Sequence, residues 1–104
     1  MPLPKLTMEE KKRALKKAQQ VRSQRAQIRR DLKAGRTGIR EILEHVDNDV
    51  IAKMRVAYLL ESLPRIGKVR TRKIMNEIGI DETRRIQGLG SRQRKALIER
   101  FGNQ

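Results

Sequence analysis

The segment over residues 49–62 constrains the fold most strongly, because it is the most apolar part of the chain. Its apolar residues lie on nearly every face of a helix, which predicts a central buried helix. They are Val50, Ile51, Met54, Val56, Ala57, Tyr58, Leu59 and Leu60. Pro64 is expected to end this helix, since proline has no amide hydrogen to donate. No window of the sequence alternates apolar and polar residues with period two, so the predicted fold class is all-α.

A long basic helix is predicted before this segment, over residues 7–34. Thr7 and Glu10 have the spacing of a capping box, and Gly35 stands where a C-terminal capping glycine belongs. Its apolar stripe is thin, so its first half is expected to project or fray. The predicted organisation is a basic helical arm over residues 1–35 and a compact helical domain over residues 36–104.

Capping residues divide the rest of the chain into short helices. A helix is predicted to begin at Thr37, and a break follows it, with Asp47 or Asn48 as the next N-cap. A helix over about 68–78 is predicted to end at Gly79. A short helix from 82 then follows Asp81, and the last helix covers about 92–101.

The charge of the chain points to a polyanionic partner. The 104 residues include 26 Lys and Arg against 12 Asp and Glu, a formal net charge of +14. Such a charge opposes compaction unless a polyanion neutralises it, which makes nucleic acid the first candidate and an anionic membrane surface the second. Only two aromatic residues, Tyr58 and Phe101, are present. This scarcity counts against modules that stack bases on aromatic rings.

Metal, cofactor and membrane-spanning functions find no support in the sequence. The chain has no cysteine and a single histidine, His45, so neither a disulfide nor a metal or cofactor site is expected. No apolar run approaches the length of a membrane span. The first residues, MPLPKLTMEE, lack the basic and apolar regions of a signal peptide, and we expect a cytoplasmic protein.

The segment LPRIGKVRTRKI, residues 63–74, joins a tight turn to a basic helix. Leu63 and Ile66 are expected to anchor the turn in the core. Gly67 would let backbone amides come close to another backbone, and the start of the following helix favours anions. The turn therefore predicts an anion site formed by Gly67, Lys68, Val69, Arg70, Arg72 and Lys73. The alternative is that Gly67 only permits a positive φ.

A similar segment occurs 23 residues later, over residues 86–92. The alignment pairs Leu63 with Ile86, Ile66 with Leu89, Gly67 with Gly90 and Ile74 with Leu97. Two such turns could hold two phosphates, one on each strand of a duplex. The alternative is ordinary packing of helices with glycine caps. The candidate contacts in this second segment are Gly90, Ser91, Arg92 and Arg94.

These segments also resemble a known family. LPRIGKVRTRKI resembles the helix-hairpin-helix and helix–two-turns–helix motifs, which bind duplex DNA through backbone amides and the minor groove. The larger pattern is similar to actinobacterial integration host factor, most closely from Asn48 to Gly102. It consists of the start LP…LT and the segments NDVIAKMRVAYLLESLPRIGKVRTRKIMNEIGI and ETRRIQGLGSRQRKALIERFG.

The resemblance implies a monomeric, non-enzymatic, nucleoid-associated protein that binds and bends double-stranded DNA with little sequence preference. In that family such binding supports chromosome organisation, site-specific recombination and transcription. It also implies a basic run of the form Arg-Arg-x-Arg as a further contact. Arg84 and Arg85 match this run, whereas Gln87 stands at its third basic position and leaves that contact neutral.

Three alternatives remain open. A ribosomal, rRNA-binding protein would also be small, basic and poor in aromatic residues, although a long basic tail would be expected. A lesion glycosylase could use Pro2 as an N-terminal nucleophile, but Leu3 follows it and the chain is short for a base-flipping pocket. The helix over residues 8–34 could lie on a membrane, but its thin apolar stripe lacks aromatic anchors.

Overall fold

The computed structural model describes residues 7–102, and every regular element in that range is helical. The helices are α1 (Met8–Lys33), α2 (Ile39–Glu44), α3 (Asp49–Lys53), α4 (Val56–Glu61), α5 (Gly67–Ile78) and α6 (Ser91–Phe101), with a 3₁₀ turn at Ile86–Gly88. The all-α prediction is confirmed. The start of the predicted arm, the LP of the first motif and the proposed nucleophile Pro2 lie outside the described residues.

Helix α1 begins and ends as its capping residues predict. The hydroxyl of Thr7 accepts a hydrogen bond from the amide of Glu10 at 3.1 Å, and the Glu10 carboxylate accepts one from the amide of Thr7 at 3.4 Å. Gly35 follows the helix with a φ of +76°. Every residue from 8 to 20 is exposed, and Leu32 near the other end is completely buried. Within residues 7–102, neither this helix nor any other has the length and apolar character needed to cross a membrane.

The predicted single helix over residues 49–62 is wrong, because the segment forms two helices. Asn48 caps α3 as predicted, and its side-chain oxygen accepts from the amide of Val50 at 2.9 Å. Met54 and Arg55 then adopt extended backbone. The Met54 carbonyl accepts from the amide of Ile86 at 2.9 Å, so pairing with a distant segment replaces the helical hydrogen bond at this point. The break lets apolar residues that would surround one helix face a single core.

The predicted short helix from residue 82 is also wrong. The Asp81 carboxylate accepts hydrogen bonds from the hydroxyl of Thr83 and, at 2.9 Å, from its amide. These bonds close a turn rather than open a helix. The chain then runs extended through Arg85, where it pairs with the break between α3 and α4 in an isolated antiparallel bridge, and tightens into the 3₁₀ turn.

The core gathers residues from every helix. Helix α4 packs against α5, α2 against α6, α3 against the 3₁₀ turn and α1 against α3. The two buried hydroxyl groups each donate a hydrogen bond to a backbone carbonyl four residues earlier. Thr71 donates to the Gly67 carbonyl at 2.7 Å, and Ser62 donates to the Tyr58 carbonyl at 2.8 Å. The most deeply buried apolar side chains are Leu32, Ile39, Val56, Leu59, Leu60, Met75, Ile86 and Leu97.

The two ends of α1 allow a matched test of this packing. Leu32→Ala should lower the free energy of unfolding by about 2–5 kcal/mol, because it leaves a cavity in the core. Leu15→Ala, in the same helix but 62 % exposed, should change it by no more than about 0.5 kcal/mol. Urea denaturation followed by circular dichroism measures both. Equal losses would contradict the packing of α1 described above.

Candidate nucleic-acid interface

The turn over residues 63–69, called here the α5 turn, is anchored in the core by buried side chains and exposes its last three residues to solvent. Leu63 and Ile66 are buried, as predicted, and Lys68 and Val69 are exposed. Within the described residues, no acceptor receives a hydrogen bond from the amides of Gly67, Lys68 or Val69. These three amides begin a 12-residue helix, where the helix dipole adds positive charge. The turn therefore offers free donors and positive potential at one exposed point.

Gly67 has a positive φ and open space beside it, so its geometry is compatible with both roles predicted from the sequence. Its φ is +67°, which only glycine adopts without strain, and this is the conformational role that needs no ligand. A Cβ added there would meet no atom within 4 Å, so the space outside the turn is also free for an approaching group. Arg65 has a φ of +65°, so the turn holds a second residue in the left-handed region at some cost in strain. A phosphate contact at Gly67 stays a prediction.

The second glycine segment repeats the sequence pattern without repeating the geometry. Gly90 is extended, with φ −73° and ψ 162°, and its amide donates to the side chain of Gln93 at 2.9 Å. The same Gln93 donates to the Gly79 carbonyl at 3.0 Å, which places the start of α6 beside the end of α5. A 12-residue helix is about 18 Å long, so the two segments are separated by roughly that distance. Ser91 and Arg92 are exposed beside Gly90.

The other predicted cations spread over several sides of the domain. Arg70 turns back to the Arg65 carbonyl, with Nη1 to O at 3.4 Å. Arg72 forms an exposed ion pair with Glu82 at 3.5 Å, an arrangement that contributes little to stability. Lys73 is exposed on the same helix, and Arg94 is half-buried on α6. The structure therefore does not gather the predicted contacts into one patch.

Arg84 and Arg85 lie on the extended segment before the 3₁₀ turn and donate to different parts of the chain. Arg84 folds over the 3₁₀ turn and donates to the Gly88 carbonyl at 3.1 Å. Arg85 donates to the carbonyl of Lys53, at the end of α3, at 3.3 Å. Gln87 is exposed and lines a shallow depression of about 330 Å³ together with both arginines and Asp81. Both guanidinium groups are thus oriented by neutral backbone carbonyls, and Arg84 also lies close enough to Asp81 for their charges to interact.

Asp81 brings a negative charge to this depression. Hydrogen bonds from the side chain and then the backbone of Thr83 lower the pKa of Asp81 below its usual 3.8, and the nearby Arg84 adds to the effect. The carboxylate therefore contributes its full share of stability above pH 3.8 and loses it as the pH falls through its lower, folded-state value. At neutral pH the group is ionised, which gives one edge of the Arg84 region an opposite charge.

A further group of cations was not predicted from the sequence. It lines a cleft of about 520 Å³ between α1 and the break between α3 and α4, called here the basic cleft. Its lining residues are Arg22, Arg25, Lys53, Met54, Arg55, Tyr58 and Arg85. Of these, the sequence had singled out only Arg85 as a contact.

Two signals in the sequence could have indicated the basic cleft. Arg22 and Arg25 are three residues apart on α1 and therefore share a face. Lys53 and Arg55 interrupt an otherwise apolar segment, and two such charges are hard to accommodate in a fully buried helix. They mark the point where the helix breaks.

Comparison with known proteins agrees with this architecture. Residues 32–101 match the family described as the S13-like H2TH domain, so the chain is a helical H2TH-domain protein. It is 48 % identical to the integration host factor of Mycobacterium tuberculosis over 99 % of both chains, and 48 % identical to that of Mycolicibacterium smegmatis over 97 % of both. The chain belongs to the actinobacterial integration host factor family, which confirms the resemblance.

Two further relatives extend the comparison to a third genus and to a solved structure. The integration host factor of Streptomyces coelicolor is 46 % identical over 99 % of this chain and 97 % of its own. A solved structure described as sIHF bound to an 8-bp palindromic DNA is 45 % identical and superposes with a TM-score of 0.81. That match covers 84 % of this chain and 99 % of the other. The likeness in fold therefore extends over nearly the whole of the solved chain.

The two glycines of the repeated segments should respond differently to alanine. Gly67→Ala should lower the free energy of unfolding by about 1–2 kcal/mol, because alanine is strained at a positive φ. Gly90→Ala should lower it by less than about 1 kcal/mol, because its backbone is extended and the added carbon meets only Gln93 Oε1, at 3.6 Å. Thermal melts of the two variants measure the difference. A larger loss at Gly90 would be inconsistent with the two backbone conformations.

Proposed function

We propose that this protein is a nucleoid-associated protein that binds double-stranded DNA and catalyses no reaction. The observation that carries the proposal is the α5 turn, where three amides with no acceptor among residues 7–102 begin a helix beside exposed Lys68. Backbone amides at a helix start are suited to a phosphate oxygen. The DNA-bound relative of similar fold supports duplex DNA as the source of that phosphate.

In the proposed contact, the amides of the α5 turn bind a phosphate and a neighbouring side chain touches the edge of the groove. Val69 is 83 % exposed and lies directly beside the free amides, so it can touch a sugar while the amides hold the phosphate. Proteins that bind the minor groove often place exposed apolar side chains there. Because the contact reads backbone rather than base edges, sequence preference should be low.

Bending of the duplex follows from the wide distribution of the cations. The α5 turn and the start of α6 lie about 18 Å apart at the two ends of α5, and Arg84 and Arg85 lie on a separate segment. A bent duplex would bring phosphates to more of these cations than a straight one. Bending a short site costs on the order of 1–6 kcal/mol, which additional phosphate contacts can offset. Roles in recombination and transcription would follow from such bending and belong to the same proposal.

The salt dependence of binding tests the phosphate contact at the α5 turn. If about five to seven phosphates are neutralised, log K should fall with log salt at a slope of roughly −4 to −6. Lys68→Ala should reduce the magnitude of that slope by about one on every duplex tested. Fluorescence anisotropy with unrelated duplexes at several salt concentrations gives both numbers.

The matched control is Lys33→Ala, which removes the same charge from an exposed position outside the proposed contacts. It should leave the slope unchanged. An A-form RNA duplex of the same sequence should bind more weakly, because its minor groove is wide and lined by 2′-hydroxyl groups. Equal slopes for both lysine variants would refute the contact at the α5 turn, and tighter binding of the RNA would favour the ribosomal alternative.

A further inference from the structure

We propose that the basic cleft is a binding site for a free nucleoside polyphosphate, separate from the contact with duplex DNA at the α5 turn. Three segments distant in sequence form the cleft: the middle of α1, the break between α3 and α4, and the extended segment at Arg85. Its volume of about 520 Å³ lies within the usual range for small-ligand sites.

The charge of the cleft suits a compact polyanion. Five of its seven lining residues are cations and none is acidic. Only Lys53 among these five takes part in an ion pair within residues 7–102, an exposed contact with Asp49 at 3.2 Å. The other four, all arginines, have no carboxylate partner in the described part of the chain. The planar guanidinium group matches the geometry of phosphate oxygens. A triphosphate would supply several of these oxygens within a short distance.

Arg25 adds a more specific observation. Its Nε is enclosed by protein atoms and has no hydrogen-bond partner. It is the one side-chain nitrogen or oxygen in the described part of the chain with that property. An enclosed donor without an acceptor is unfavourable. A phosphate in the cleft would provide the acceptor once the guanidinium group turned toward it.

The apolar part of the cleft favours a free nucleotide over a duplex. Met54 is buried beneath the cations, and Tyr58 is half-buried with the Arg29 guanidinium 4.7 Å from its ring centre. The Arg29 guanidinium covers one face of the ring, so a base would stack on the opposite face. A duplex presents phosphates outward but keeps its bases stacked inside. A free nucleotide can offer both its phosphates and its base to the cleft.

Isothermal titration of the DNA-free protein tests the site, with ATP, inorganic tripolyphosphate and adenosine as probes. ATP should bind at least about tenfold more tightly than tripolyphosphate, and adenosine should bind too weakly to measure. The double variant Arg25→Gln/Arg55→Gln should lose at least about tenfold in affinity for ATP. The control Arg72→Gln/Arg92→Gln removes the same charge outside the cleft and should lose less than about threefold.

A third variant isolates the base. Tyr58→Leu keeps an apolar side chain, and it should bring the affinity for ATP down to that for tripolyphosphate. Thermal melts without ligand show which variants remain folded, and the affinities of folded variants decide the result. Equal binding of ATP and tripolyphosphate to the wild type would overturn the nucleotide assignment. Equal losses in the two double variants would mean diffuse attraction to a basic surface and would overturn the site itself.

Arg85 links the cleft to the proposed DNA contacts. A nucleotide held by Arg85 would compete with a duplex for that side chain and weaken DNA binding. This consequence rests on the proposed DNA-binding function, whereas the titration contains no DNA. Failure of one proposal therefore leaves the other measurable.

Discussion

The backbone pairing between residues 54–56 and residues 84–86 is the constraint on which much of the structure depends. It consists of two hydrogen bonds, from Ile86 to Met54 at 2.9 Å and from Val56 to Arg84 at 3.0 Å. It breaks the most apolar segment into two helices that can both face the core. It also holds residues 84–85 extended, so that Ile86 is fully buried and Arg85 before it is exposed at the surface. Core formation and the placement of charge therefore share one structural cause.

The chain keeps its positive charge available by orienting arginines with neutral groups. Arg70, Arg84 and Arg85 donate to carbonyls at 3.1–3.4 Å. A carbonyl fixes the direction of a guanidinium group without cancelling its charge, whereas a carboxylate would do both. Only five ion pairs, all with substantially exposed partners, occur within residues 7–102. The surplus charge is thus directed outward, where it is screened by salt rather than by the protein.

Local signals predicted the elements whose ends are set by capping, and failed where distant segments meet. Thr7 with Glu10, Asn48 and Gly79 each mark an element boundary through contacts within a few residues. The break at Met54 is fixed by a partner some thirty residues away. Lys53 and Arg55 mark the position of the break in the sequence, but they do not identify that partner. Asp81 caps a turn with the same hydrogen bonds that would cap a helix, so its residue type does not distinguish the two. The basic cleft was missed because three separate segments form it, and the contacts at the α5 turn stay a prediction.

The exposed first half of α1 has a mechanical consequence. Residues 8–20 form about 20 Å of helix that begins where the half-buried contacts at Val21 and Arg25 end. A stiff rod fixed at one end acts as a cantilever: a rotation of about 10° at its base moves its tip by roughly 3–4 Å. Small changes in packing around Leu32 are therefore amplified along the helix. The lysines and arginines near its tip move with it, so their positive charge covers a wider range of positions than the charge of residues fixed at the core.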